Sequence, residues 1–260
     1  MKAIYLNIWA GKVFEPLIAY IRAAAADTDF FCLQEVFDSP LARTVSWSGR
    51  ADIFTHLKNA LPEFTPFFSL TVENFDGDRQ TDFPMLHGNV IFARKEIPIL
   101  SHGDLLIAGE TWAGPGTSPI FPHKLQYVRI KVSGMLYTIA SVHGTAFPGS
   151  KADTPERIAQ SQKIADFLAD EKGRKILGGD FNLMPDTESV SMIERTGMRN
   201  LIKEYGITDT RGRLSHAQYT ESQRQYFADF AFTSPDVLVK NFTVPQVEIS
   251  DHLPLVVEWT

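Results

Sequence analysis

The chain has 260 residues, 44% of them hydrophobic and 22% charged, with a formal net charge of −6. A chain of this length buries roughly 70–75% of its unfolded surface, so its core needs no staple, and the single cysteine, Cys32, excludes an internal disulfide. The acidic balance disfavours a sequence-blind nucleic-acid binder driven by counterion release, and no apolar run approaches the ~18 residues that cross a membrane.

The first residues lack a long apolar stretch followed by a small-residue cleavage site, so no signal peptide is expected. The expected setting is cytoplasmic, without stable membrane insertion, and the expected oligomeric state is a monomer. Cys32 lies in Phe30-Phe31-Cys32-Leu33 and reads as a small buried hydrophobe.

Short apolar runs separated by Gly, Pro, Asn and Asp predict a strand-rich chain. In order, the pattern predicts a strand at 3–8, a helix at 15–26, a strand at 30–34, a helix at 53–61, and strands at 65–72 and 89–93. The irregular stretch 109–123 contains Gly114-Pro115-Gly116 and Pro119 and reads as a surface loop beside a site. Its apolar residues Trp112, Ile120 and Phe121 are candidate contacts for a lipid-like or inositol-phosphate substrate, or loop packing. Strands at 126–132 and 136–142 flank Ser133-Gly134, a connection suited to a tight hairpin. The best helix spans 155–170, with Thr154 as cap, Pro155 in the first turn and Glu156 complementing the dipole. Ile158, Ala165 and Leu168 recur there at helical spacing, flanked by Ile164 and Phe167. A strand at 175–178, a helix at 188–195, and strands at 227–233, 242–249 and 255–259 complete the set. This pattern implies mixed α+β layering with two sheets face to face, in a single domain over 1–260.

Polar groups stand where the apolar runs stop. Asn7 follows Ile4-Tyr5-Leu6, Gln34-Glu35 follows Phe30-Phe31-Cys32-Leu33, and His143 follows Val142. Asp180 and Asn182 follow Ile176-Leu177, Asp229 sits among Phe227, Phe230 and Phe232, and Asp251-His252 follows Ile249-Ser250. Carboxylates, amides and imidazoles converging at one rim make an oxygen-rich pocket suited to a hard cation, Mg²⁺ or Mn²⁺. Taken singly, Asn7 and Gln34 read as turn formers, Glu35 as a solvated acid and His143 as a structural histidine. Asp229 between aromatics needs a partner to be buried. The strongest signal is Gly178-Gly179-Asp180-Phe181-Asn182, where the glycines suit close approach to a ligand and alternation sets Asp180 and Asn182 on one face. His56, His87, His102, His123 and His216 carry no such spacing and are expected at the surface or in packing. No CxxC, HExxH, GxxxxGK[ST] or GxSxG occurs, which disfavours thiolate zinc sites, nucleotide P-loops and serine-hydrolase elbows.

Taken in order, Leu6-Asn7-Ile8-Trp9, Leu33-Gln34-Glu35-Val36, Gly88-Asn89-Val90, Val142-His143, Gly179-Asp180-Phe181-Asn182, Ala228-Asp229-Phe230 and Ser250-Asp251-His252 resemble the endonuclease/exonuclease/phosphatase superfamily, which is deoxyribonuclease I-like. The segment from Asp153 to Gln160, with Arg157, resembles the family's stretch before its Gly-Asp-Phe-Asn motif. The resemblance implies a four-layer α/β sandwich with two mixed β-sheets face to face and helices outside. It implies Glu35, Asn7 and Asp251 as metal ligands, Asp180 orienting or deprotonating water, and Asn182 and His143 contacting the phosphate. His252, oriented by Asp229, would stabilise the developing charge or protonate the leaving oxygen. Two positions depart from the family pattern: Trp9 stands where some nucleases carry an acid, and Phe230 where tyrosine is usual.

The expected activity is therefore Mg²⁺- or Mn²⁺-dependent hydrolysis of a phosphoester, with nucleic acid one substrate class and phospholipids or inositol phosphates another. A nuclease needs a basic rim, for which Lys151, Arg211, Arg213 and Arg224 are the candidates, but they form no dense basic run. A non-catalytic phosphate-ligand binder on the same fold is the alternative of a different class.

Overall fold

The computed structural model describes residues 1–110 and 121–260. The first strand, β1 (Lys2–Asn7), shows why four layers form. Its Ala3 and Tyr5 enter one apolar cluster while Ile4 and Leu6 enter another. A strand apolar on both faces must be covered on both.

One mixed sheet holds β1 with β2 (Phe30–Asp38), β3 (Phe64–Glu73), β4 (Leu86–Arg94), β11 (Val239–Thr243) and β12 (Leu255–Trp259), in the order β11-β12-β1-β2-β4-β3. The other runs β5-β6-β7-β8-β10-β9, from β5 (Ile99–Ala108), β6 (His123–Val132), β7 (Met135–His143), β8 (Arg174–Asp180), β9 (Arg199–Asn200) and β10 (Asp229–Thr233). They pack face to face, as Ala3, Tyr5, Cys32 and Ile91 of one share a buried cluster with Leu125, Ile139 and Leu177 of the other. Helices α1 (Phe14–Ala24) and α2 (Ile53–Ala60) cover the first sheet through Leu17, Ile21, Ile53 and Leu57. Helices α3 (Pro155–Asp170) and α4 (Glu188–Glu194) cover the second through Ile164, Leu168, Val190 and Ile193. Two short helices follow, α5 (Leu201–Glu204) and α6 (Gly212–His216). The layering is the deoxyribonuclease I-like sandwich expected from the sequence.

Several local expectations hold. Ser133 and Gly134 both have positive φ, 50° and 81°, and join Val132 to Met135 in register, a primed hairpin turn. Thr154 caps α3, its side chain accepting from the Arg157 N–H at 3.2 Å. Cys32 is fully buried, and burial pushes its thiol well above the usual range.

Others are corrected. The expected strand at 242–249 is displaced to Val239–Thr243, because Pro245 has no N–H to donate to a ladder. Strand β5, unforeseen, is a sheet edge whose residues 99–104 alternate between half-buried and exposed, with Ser, His, Gly and Asp interrupting its apolar run. The buried face of α3 is set by Arg157, Gln160, Ser161, Ile164, Ala165 and Leu168, leaving Ile158 only half-buried. Most of the loop expected at 109–123, including Trp112 and Ile120, lies outside the described residues, while His123 opens β6.

The two glycines before Asp180 serve the protein rather than a ligand. A Cβ on Gly178 would stand 2.8 Å from the Tyr5 ring of the facing sheet. Gly179 has φ +127°, and a Cβ there would stand 2.2 Å from the Val142 carbonyl oxygen.

Candidate active site

Parallel pairing sets the strand ends side by side. In β1 and β2, Asn7 pairs with Gln34; in β7 and β8, His143 pairs with Asp180; and antiparallel β10 brings Asp229 opposite Asp180. Because the sheets pack face to face, these ends meet at one edge, where Asp180 of β8 and Glu35 of β2 line a cup of about 260 Å³. The tight turn before β12 adds Asp251 and His252, held by Ser250, whose Oγ donates to the Asn7 carbonyl at 2.7 Å and accepts from the His252 N–H at 3.2 Å.

Glu35 reaches the cup through a distortion. The β2–β4 register shifts between Leu33 and Val36, and Glu35 has φ +58°. Such a conformation is costly for a residue with a Cβ, and it re-aims the side chain. Neighbouring Gln34 instead stays in the core, its Nε2 donating to Ser141 Oγ at 2.8 Å across the two sheets. Sequence reading of Gln34 as a turn former gives way here to a sheet-to-sheet tie.

Asn7 is buried and acts as a hub. Its Nδ2 donates to Glu35 Oε1 at 2.9 Å and to Asp180 Oδ2 at 3.1 Å, while its Oδ1 accepts from the Trp9 N–H at 3.0 Å. Asp180 Oδ1 accepts from the Asn182 N–H at 2.9 Å. Asn182 joins the site through a left-handed turn, φ +53°, beyond the end of β8, so strand alternation is not what places it. Its Nδ2 donates to the Gly144 carbonyl at 3.1 Å and its Oδ1 accepts from Lys151 Nζ. His143 Nε2 stands 3.8 Å from Glu35 Oε1 and 3.9 Å from Asp180 Oδ2.

His252 is buried with Asp229, its Nδ1 lying 2.9 Å from both carboxylate oxygens. Its Nε2 faces Asp180 Oδ2 at 3.7 Å and is touched by Arg211 Nη1. Arg211 also donates from Nη2 to Asp251 Oδ2 at 2.8 Å and from Nε to Ser215 Oγ at 3.1 Å.

Lys151 and Arg211 are only 8% exposed and line the cup. Of the basic-rim candidates, these two cations point inward, and Arg213 is spent on an exposed pair with Glu248 at 2.5 Å. Lys151 sits on a loop clamped by Arg157, a fully buried guanidinium without surface access. Arg157 donates to the carbonyls of Thr145 at 3.3 Å, Ala152 at 2.7 Å, Ala146 at 3.2 Å and Pro148 at 2.6 Å. Gln160 Oε1 completes the clamp, accepting from the Thr145 N–H at 2.9 Å.

The charges are interdependent. Burial alone would raise the Asp180 carboxyl, yet His252, Lys151, His143 and Arg211 together hold it well below the usual carboxylate range. Burial raises Asp229, and the charge on Asp180 adds to that. For His252, burial and Arg211 favour the neutral ring, but Asp229, Asp180 and Asp251 outweigh them and raise it. Burial lowers Lys151 despite the attraction of Asp180.

This set of groups at the joined ends of two face-to-face mixed sheets can be compared with known proteins. Residues 4–252 match the model of the Endonuclease/Exonuclease/phosphatase family. The chain belongs to that family. Members of the endonuclease/exonuclease/phosphatase family are phosphoesterase hydrolases and generally use divalent metals. Similar structures include a mannosyl-6-phosphatase from Bacteroides thetaiotaomicron, 19% identical with TM-score 0.68, covering 100% of this chain and 99% of that one. A family protein from Leptotrichia buccalis is 17% identical with TM-score 0.73, covering 100% and 99%. A humanized D. rerio TDP2 is 14% identical with TM-score 0.68, covering 100% and 98%. These likenesses are to the fold. Among curated proteins no match was found.

Among the described residues, Asp180, Asp229 and His252 offer three ligand atoms within 4.8 Å of one another, a possible metal site. Both oxygens of Asp229 are, however, already engaged by His252 Nδ1. The carboxylates of Glu35 and Asp180, joined through Asn7, fit a hard cation better because they face the cup and offer oxygen alone. Asp251 also lines the cup, with one oxygen on Arg211.

Lys151 and Arg211 stand in the sequence only as basic-rim candidates and Arg157 only as part of the segment resembling the family's, since each lies off the strand ends.

Proposed function

We propose that this chain is a divalent-metal-dependent phosphoesterase, hydrolysing a phosphodiester or phosphomonoester by in-line attack of water. The observation that carries this reading is the Asp180 carboxylate, held ionised by His252, Lys151, His143 and Arg211, in a cup that Lys151, Arg211, His252, Glu35 and Asp251 also line. A phosphoryl group brings negative charge that Lys151, Arg211 and His252 would meet, while Asp180 would take the attacking water.

Glu35, with Asp180 or Asp251, would hold the cation, and Asn7 would orient the carboxylates. The cation, when bound, supplies neutralisation of charge on the phosphoryl and leaving oxygens. Asp180, held anionic, orients water by accepting its proton in a hydrogen bond. His252, fixed at Nδ1 by Asp229, presents Nε2 to the reacting group, its proton affinity raised by Asp229, Asp180 and Asp251. Lys151, Arg211 and His143 offset charge on the non-bridging oxygens, each fixed before substrate arrives. Asn182 has both ends of its amide engaged, so its role is to position Lys151 and the loop at Gly144.

The inward-facing cations support a small phosphoester over a long polyanion, which would need them spread along a rim. That one similar structure is a mannosyl-6-phosphatase agrees with this reading. The test is a phosphoester panel with Mg²⁺ or Mn²⁺, covering sugar phosphates, inositol phosphates, sphingomyelin, RNA, and supercoiled and abasic DNA. EDTA-sensitive turnover of small phosphoesters is expected; turnover confined to DNA would overturn the choice of substrate, and binding without any turnover would overturn the reaction.

A further inference from the structure

A second cavity of about 270 Å³ adjoins the cup, sharing Glu35 and Ala146 with it and taking His143 as part of its wall. Its character differs. The described lining contains no lysine or arginine; Val72, Pro122, Phe121 and Phe147 line it with the imidazoles of His87 and His123, and Glu35, Asp78 and Thr71 add its other polar groups. Burial lowers both imidazoles to about 3, so they are neutral at physiological pH. The His123 ring meets the His143 ring edge-on at 5.7 Å, and His87 packs against Phe37 at 4.5 Å. Phe147 lines the cavity and is 79% exposed. It is nonetheless held in place, because Arg157 grips the carbonyls on either side of it, Ala146 and Pro148.

We propose that this cavity binds an uncharged aromatic or apolar group of the substrate, seated beside the phosphoryl group in the cup. The proposal rests on the phosphoesterase reading and adds a substrate class to it. Among the described residues that line it none is a lysine or arginine, so a second phosphate has no cationic partner there, whereas a planar ring meets Phe121, Phe147, Val72 and two neutral imidazoles. The space suffices, since a dry cavity of roughly 150 Å³ takes a benzene ring. Polyphosphorylated inositols and long nucleic acids are the substrates this arrangement refuses.

The test uses the full chain with Mg²⁺ and two phosphonates whose C–P bond resists hydrolysis, phenylphosphonate and methylphosphonate. Calorimetric titration is expected to show phenylphosphonate binding about tenfold more tightly, the worth of burying part of a ring. The double variant Phe121→Ala/Phe147→Ala, changing two exposed or part-exposed residues outside the catalytic cup, is expected to abolish that preference and leave methylphosphonate affinity and the melting temperature unchanged. Equal affinity for the two phosphonates in the wild type, no binding of either, or a preference that survives the double substitution would each overturn the cavity. Turnover of bis-p-nitrophenyl phosphate is measured alongside: turnover without the phenyl preference removes the cavity alone, and the preference without turnover removes the phosphoesterase reading alone.

Discussion

Both carboxylate oxygens of Asp229 lie 2.9 Å from Nδ1 of His252, with the two side chains buried together. This leaves Nε2 as the ring's working atom. Burial and Arg211 oppose protonation of the ring, and three carboxylates more than restore it, so the imidazolium persists above its ordinary pKa of about 6.5. A group with a raised pKa is charged below that value and loses its proton as pH rises through it. The alkaline limb of kcat/KM is therefore expected to follow His252. Asp229→Asn should move that limb to lower pH and reduce kcat about a hundredfold to ten-thousandfold. A pH–rate profile with an unmoved limb would count against the pairing.

Lys151 and Arg211 are buried beside Asp180, so removing either charge should act on the reaction more than on the fold. Lys151→Met and Arg211→Met are each expected to lower kcat/KM on a small phosphodiester by roughly a hundredfold. Thermal melting of Lys151→Met should stay within a few degrees of wild type, because a buried ammonium costs solvation that methionine does not. Steady-state kinetics with a melting curve separates the two effects.

Arg157 makes its hydrogen bonds to main-chain carbonyls of the loop that carries Lys151, and lysine cannot reproduce a guanidinium fork. Arg157→Lys is expected to cost about 2–4 kcal/mol, a fall in Tm on the order of 10 °C. It should also lower kcat below the transition, since Lys151 is no longer held. Retained Tm would show that the clamp carries little energy.

Why the site was partly legible follows from where each group sits. Asn7, His143, Asp180 and Asp229 end or begin strands, and Glu35 and His252 likewise stand where an apolar run of the sequence stops on polar residues; the fold brings these places to one edge. Lys151 and Arg211 lie in irregular segments, where a charged residue ordinarily reads as solvated, and only tertiary packing buries them. The bulge at Glu35 and the left-handed turn at Asn182 are likewise invisible to a period-two pattern. Core strands read clearly because both faces are apolar. Edge strands β5 and β11 read poorly because polar residues interrupt their apolar pattern where they face water.

Gly179 offers a test of the fold itself. With φ +127° and a would-be Cβ 2.2 Å from the Val142 carbonyl oxygen, Gly179→Ala combines backbone strain with a clash against backbone that cannot yield cheaply. A destabilisation of about 3 kcal/mol or more is expected by denaturant titration. Near-wild-type stability would mean that the β7–β8 pairing tolerates more separation than the structure shows.

The central claim is that Asp180, held anionic by the cations of the cup, serves metal-dependent phosphoester hydrolysis. Its most direct measurement is the rate of bis-p-nitrophenyl phosphate hydrolysis with Mg²⁺ or Mn²⁺, with and without EDTA, for wild type and for Asp180→Asn shown folded by its melting curve. The account expects turnover in the wild type that EDTA removes and added metal restores, with Asp180→Asn reduced at least about a thousandfold. A folded Asp180→Asn with wild-type turnover, or wild-type turnover indifferent to EDTA, would contradict it.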